Sequence, residues 1–186
     1  MSRLPDSSLS EVRDLEDRDD VPQSPAFPEP CPERIWAALG RGDHVGEIVT
    51  WRKVFPGTAR RVADARALAR LFLDDTARAG DAAWVAGELA ANAVRHTRSG
   101  EDGGTYVLEL HRAGDVARIV VYDRGGGGRP TFTRSSAALA SFKEHGYGLY
   151  GVGQLAYRTG VCGNPVVGHA VWAELLLTAD EAGRDR

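Results

Sequence analysis

The apolar residues of this chain change period along its length, in an order that leaves few folds open. Glu47 to Phe55 alternates and is rich in Ile, Val, Thr and Trp, which predicts a strand. Pro56-Gly57 turns the chain. Thr58 can cap a helix, and Val62, Ala65, Ala69, Phe72 and Leu73 then recur at helical spacing as far as Gly80. Asp81 caps a second helix, Ala82 through Thr97, with Val85, Leu89 and Ala93 on its apolar stripe. Thr105–Arg112 and Val116–Tyr122 alternate again on either side of Ala113-Gly114-Asp115, which predicts a hairpin. Gly148–Tyr157 returns to helical spacing with Leu149, Val152 and Leu155 inward. Val161-Cys162 and Val166-Val167 point to a short strand near the Gly163-Asn164-Pro165 turn, and His169–Leu177 is a final strand. Strands come in hairpins and helices come in sequence. The expected fold is therefore an α/β (α+β) two-layer sandwich, a mixed sheet with its helices on one face.

One stretch has no period. Asp123 to His145 opens with four glycines and runs for 23 residues without a sustained apolar pattern. Such a length inside a compact domain is usually a functional lid or a mobile loop, here with room for a short helix at Ser135–Lys143.

Charge divides the 186 residues unevenly. The net charge is only −3. Residues 1–47, however, hold 5 Arg against 11 Asp/Glu, a balance of −6, together with six of the nine prolines. Residues 48–186 hold 18 Lys/Arg against 15 Asp/Glu, a balance of +3. The expected organisation is an acidic, Pro-rich, disordered arm (1–47), a folded body (48–178) and a polar tail (179–186). Within the arm, Ile35, Trp36 and Leu39 suit one short helical turn, and the arm is expected to be solvated or to dock on a partner or on the body. A body of +3 without a basic stripe argues against direct nucleic-acid binding. No apolar run approaches the ~20 residues of a membrane helix, and Met1–Asp6 lacks the apolar region of a signal peptide. The expected location is cytoplasmic. Two cysteines, Cys31 and Cys162, without a CxxC make neither a disulfide scaffold nor a Cys-rich zinc site. The near-absence of lysine beside abundant Arg fits a GC-rich genome.

Three constellations carry possible chemistry. Glu88, Asn92 and His96 stand at i, i+4 and i+8 and share a helical face, with Arg95 beside them. A carboxylate one turn from a carboxamide can accept a proton while the amide oxygen takes a hard cation such as Mg²⁺; equally, they suit an ordinary solvated helix face. Val120-Val121-Tyr122 ends in Asp123, followed by Gly125 to Gly128. A carboxylate at a strand end can accept from an exocyclic amine such as that of adenine, and glycines let backbone pass close to a flat ligand. The alternative is a plain Asp turn. Finally, Gly146-Tyr147-Gly148-Leu149-Tyr150-Gly151 satisfies GxGxxG. A dinucleotide fingerprint needs a hydrophobic strand just before it, and Ala140–His145 is polar, so that reading fails on context. What survives is a Gly-rich loop opening a helix, which favours phosphate.

In order and spacing these constellations resemble the N, G1 and G2 boxes of the GHKL (histidine kinase-like) ATPase superfamily. The residues are Glu88-Leu89-Ala90-Ala91-Asn92-Ala93-Val94-Arg95-His96, then Asp123, Gly125 and Gly127, then Gly146, Gly148, Leu149 and Val152. Phe55-Pro56-Gly57 and Gly168–Leu175 look more specifically like the anti-sigma-factor serine/threonine kinase branch. The resemblance covers about residues 48–178. It implies a histidine kinase-like ATPase (Bergerat) fold with a mobile ATP lid, binding ATP and Mg²⁺. It makes Glu88 the general base, Asn92 the Mg²⁺ ligand and Asp123 the adenine reader. It places Arg95, His96, Gly125, Gly127, Gly146, Tyr147, Gly148 and Leu149 around the nucleotide. Arg129, Arg134 and Lys143 are candidates for lid charge. The implied partners are a STAS-type anti-sigma-factor antagonist, phosphorylated on Ser, and a sigma factor; a homodimer is a family expectation. Tyr147 stands where the branch often has Arg, which predicts a lost phosphate contact. Ala170 stands where it often has Thr, which predicts a missing hydroxyl beside adenine. These departures leave open a nucleotide-dependent binding switch that transfers no phosphate. A detached histidine-kinase ATP domain ranks last, since residues 1–47 do not resemble a phosphoacceptor helix hairpin.

No box lies in the arm. Removing residues 1–33 is therefore expected to leave nucleotide binding intact, which calorimetry on the truncated chain checks; lost binding would make the arm part of the site.

Overall fold

The computed structural model describes residues 48–132 and 147–178. The arm with its Ile35-Trp36-Leu39 turn, the helix expected at Ser135–Lys143, Gly146 and the tail 179–186 lie outside the described residues.

The chain order is β1 (Val49–Pro56), α1 (Ala59–Phe72), α2 (Ala79–His96), β2 (Thr105–Ala113), β3 (Val116–Tyr122), α3 (Tyr147–Leu155), β4 (Arg158–Asn164) and β5 (Gly168–Leu176). Helix α1 stops at Phe72, short of Gly80, because Thr76 turns the chain: its hydroxyl donates to the Leu73 carbonyl at 2.9 Å and accepts from the Arg78 amide at 3.2 Å. Asp81 does not cap α2. The capping position is Arg78, and Asp81 sits in the first turn, where it pairs with the Arg78 guanidinium at 2.7 Å and suits the positive end of the helix. The β2–β3 hairpin closes Ala113 on Val116 through Gly114, whose φ of 55° needs a residue free to turn left-handed. The pair Val166-Val167 is not strand. It forms the tip between β4 and β5, where the Asn164 side chain accepts from both of its amides, at 2.9 and 3.1 Å.

The five strands lie in the order β1-β2-β3-β5-β4, and every pairing is antiparallel. The expected mixed sheet is thereby corrected. The crossover through α3 does set β4 parallel to β3, but β5 folds back and enters between them. Side chains alternate across the sheet. One set, including Tyr106, Leu108, Leu110, Ile119, Val121, Ala173 and Leu175, packs with Val62, Ala65, Ala69, Val85, Leu89 and Val152 of the three helices as the main core. Each fully buried Leu or Val there contributes about 1.5–3 kcal/mol. Small residues on α2 (Ala82, Ala86, Ala90, Ala93) let it lie close to the sheet. No described helix is long and apolar enough to cross a membrane.

The opposite, outer face carries charges. Thr50, His111, Arg118, Glu174 and Arg158 form one row across all five strands. Glu109, on the next row, gathers three partners: the His111 ring at 2.7 Å, the Tyr122 hydroxyl at 3.0 Å and the Arg52 guanidinium at 3.1 Å. Burial alone pushes the Glu109 carboxyl up. The His111 hydrogen bond and charge, the Tyr122 bond and the Arg52 charge together outweigh it and hold the group below its ordinary value. Burial first, and Glu109 second, push the Tyr122 hydroxyl up, so it remains a donor. A depressed carboxylate stabilises the fold above its unfolded value of about 4.3 and loses that contribution as pH falls through the folded value. Glu109→Gln is thus expected to cost about 1–2 kcal/mol at neutral pH, with the deficit shrinking below about pH 4. Urea midpoints across pH check this, and a deficit independent of pH would contradict it.

Candidate functional site

Helix α2 supplies the first wall. Glu88 and Asn92 are half-buried one turn apart, as their spacing predicts. Glu88 Oε1 lies 3.4 Å from Nη2 of Arg66 on α1. Arg66 reaches it by lying across Gly87, where a Cβ would collide with the guanidinium stem. The other carboxylate oxygen, Oε2, rests against Gly148 of α3, where a Cβ would push the carboxylate aside. Asn92 Nδ2 is buried without a hydrogen-bond partner. Arg95 and His96 are exposed at the helix end, outside this half-buried pair. There Thr97 ends the helix by donating its hydroxyl to the Ala93 carbonyl at 2.6 Å.

Asp123 sits at the end of β3, only 2% exposed. Its Oδ1 accepts from the amides of Gly125 at 2.7 Å and His169 at 3.0 Å, and its Oδ2 lies 3.3 Å from His169 Nδ1. Gly125 has φ +66° and its backbone presses on the Pro165 carbonyl, while Gly127 abuts the His96 carbonyl. These glycines thus have a reason within the chain. They let the turn after Asp123 close against the end of α2 and the β4–β5 tip, which brings the strand-end carboxylate to the helix that carries Glu88 and Asn92.

The expectation at Ala170 is corrected. Tyr122 pairs with Ala170, so Ala170 points to the outer face, among Val107, Val120 and Tyr122, and cannot hold a ligand beside Asp123. The side chain facing Asp123 is His169, fully buried, with Nε2 lacking any partner. Sequence reasoning missed His169 and Arg66. The one signal for His169 was its place directly after Gly168 in the last strand; Arg66 gave none.

Of the third box, Gly146 lies outside the described residues. Tyr147 opens α3 and is 57% exposed. Leu149 packs on the main core. Gly148 against Glu88 and Gly151 against Trp84 lock α3 onto α2 at close range. Arg129 is turned toward β4, donating to the Val161 carbonyl at 2.9 Å, whereas Arg134 and Lys143 lie outside the described residues. A cleft of about 500 Å³ opens between Arg98, Glu101, Asp102, Arg124 and the Val166-Val167 tip, but none of the residues expected around the nucleotide lines it.

A five-stranded antiparallel sheet under helices, with carboxylate and carboxamide on α2, a strand-end aspartate and Gly148 in the first turn of α3, is the arrangement of a nucleotide-binding two-layer sandwich. The histidine kinase-like ATPase domain matches residues 55–172, and the chain belongs to that family of ATP-binding domains. No curated protein matches the chain.

Proposed function

We propose that this chain is a Mg²⁺-ATP-dependent serine/threonine protein kinase of the anti-sigma-factor branch, which phosphorylates a STAS-type antagonist and thereby controls a sigma factor. The observation that carries the reading is the pairing of Glu88 and Asn92 on one half-buried face of α2 with Gly148 pressed on the Glu88 carboxylate. Phosphoryl transfer asks a protein mainly for positioning and charge neutralisation. The partnerless Nδ2 of Asn92 is a donor that suits a phosphate oxygen, while the oxygen of the same amide is the atom that would take Mg²⁺, and the partnerless Nε2 of His169 fits a base or water at the adenine end. When bound, Mg²⁺ neutralises the phosphate charge. Arg66 holds the Glu88 carboxylate in place to accept the proton of an incoming hydroxyl. Asp123 has one oxygen committed to backbone amides, so only Oδ2 faces the adenine end, and it shares that place with His169.

A second reading has one observation in its favour. Tyr147 is exposed and uncharged at the start of α3, where the branch often carries Arg. A chain lacking that cation suits a switch whose partner affinity follows bound nucleotide without transfer. Incubation with labelled ATP and candidate STAS proteins separates the two. The kinase reading expects label on a Ser of a cognate STAS protein; nucleotide binding with no transfer to any of them supports the switch, and absence of both removes both.

A further inference from the structure

The outer face of the sheet has the exposures of an interior. Arg118 is 1% exposed, Glu174 2%, Glu109 5% and Tyr122 0%. In a two-layer sandwich this face should be wet, because side chains standing in one layer cannot shield one another's tips. Among the described elements, all three helices pack on the other side. The face is also partly apolar and aromatic: Arg118 stacks on the Trp172 ring at 4.7 Å and Arg52 on Tyr122 at 5.1 Å. Arg118 donates from both Nε and Nη2 to one oxygen of Glu174, Oε1, yet its buried Nη1 has no acceptor. A buried guanidinium nitrogen without a partner is costly, and it marks a place for a carboxylate or carbonyl from elsewhere.

We propose that the acidic N-terminal arm, residues 1–47, docks on this outer face through its Ile35-Trp36-Leu39 cluster and supplies the acceptor that Arg118 lacks. Three features commit the face to this occupant. The arm ends at Glu47 and leads through Ile48 into edge strand β1, whose Thr50 begins the charged row. It is also long enough. A five-stranded sheet is roughly 20 Å across at ~4.8 Å per strand, while the 12 residues from Trp36 to Ile48 span up to about 40 Å when extended. Its charge is complementary: the arm carries −6 and the rest of the chain +3, and the row itself sets Arg118 and Arg158 on either side of a single carboxylate, Glu174. Ile35, Trp36 and Leu39 add apolar surface, with Glu33 and Asp43 close by in sequence, which matches a face where Val120, Tyr122 and Trp172 stand among Arg52, Arg118, Glu109 and Glu174. Docking there keeps the arm on the side of the sheet away from Glu88 and Asn92. It is independent of whether the chain transfers phosphate.

The test uses the full chain with the photoreactive residue p-benzoylphenylalanine in place of Trp36, which leaves every described residue unchanged. Equal amounts of isotopically light and heavy chains are mixed at dilute concentration, irradiated and mapped by mass spectrometry. The expected result is adducts within one chain, light to light and heavy to heavy, on peptides from β1, β3, β4 and β5 that carry the outer-face rows. Adducts only between light and heavy chains would overturn the proposal in favour of a second copy on this face. Adducts on α1, α2 or α3, or no adduct at all, would overturn it outright.

Discussion

Asp123→Ala is expected to cost about 2–5 kcal/mol of stability and to remove nucleotide binding altogether. One carboxylate oxygen serves two buried backbone amides, those of Gly125 and His169, and the alanine variant leaves both without an acceptor. Each orphaned donor costs about 1–3 kcal/mol, a large share of the 5–15 kcal/mol typical of a domain. The damage is local in origin. The turn at Gly125, held against the Pro165 carbonyl, loses the contact that fixes it to β5, and with it the join between the sheet and the end of α2. Asp123→Asn separates structure from recognition. Its amide oxygen can still take the two backbone amides, so stability is expected to recover most of the loss, while the charge facing His169 and the adenine end is gone. Urea unfolding and ATP calorimetry on both variants check this. Equal stability of the alanine and asparagine variants would contradict the role given to Oδ1.

The second large effect is on chemistry. Glu88→Gln is expected to lower phosphoryl transfer by about 10²–10⁴-fold, the usual contribution of a positioned general base, while ATP affinity stays within a few-fold. Glutamine fills the same space against Gly148 and can still meet Arg66, so the junction of α2 and α3 survives. What it cannot do is accept a hydroxyl proton. Single-turnover transfer to the cognate STAS substrate, with binding measured in parallel, reads the split. Unchanged transfer in the variant would take the base role from Glu88. A parallel fall in affinity and transfer would make the residue a structural brace between Arg66 and α3.

Much of the fold was open to inspection in the sequence because its signals are local. The β2–β3 hairpin follows from two alternating runs about Gly114, and the face of α2 follows from the spacing of Glu88 and Asn92. What escaped was set by contacts between distant segments. The Val166-Val167 pair resembles strand in composition, yet both residues are exposed, because Asn164 captures their amides into a turn. The antiparallel sheet depends on β5 entering beside β3, a pairing that no local pattern encodes. At the site the same division holds. Glu88, Asn92 and Asp123 are candidates by spacing and strand-end position alone. Arg66 arrives from another helix over Gly87, and His169 is set by a register one residue away from the Ala170 that sequence reasoning favoured. Gly125 and Gly127, expected to let backbone approach a ligand, approach their own chain in the structure. On the outer face the charged residues Glu109, Arg118 and Glu174 are all buried, which no local pattern announces.

The central claim is that α2, α3 and the Asp123 end of β3 form an ATP site whose cation is held at Asn92. Thermal unfolding of the full chain with no ligand, with ATP and with Mg²⁺-ATP tests it most directly, with Asn92→Ala alongside. Ligand at about a hundredfold over its Kd stabilises by about 2.7 kcal/mol, a shift of several degrees in Tm. Wild type is expected to show that shift with Mg²⁺-ATP and a smaller one with ATP alone, and Asn92→Ala to lose the Mg²⁺-dependent part at an unchanged ligand-free Tm. No shift of wild type with saturating Mg²⁺-ATP, or the same shift in Asn92→Ala, would contradict it.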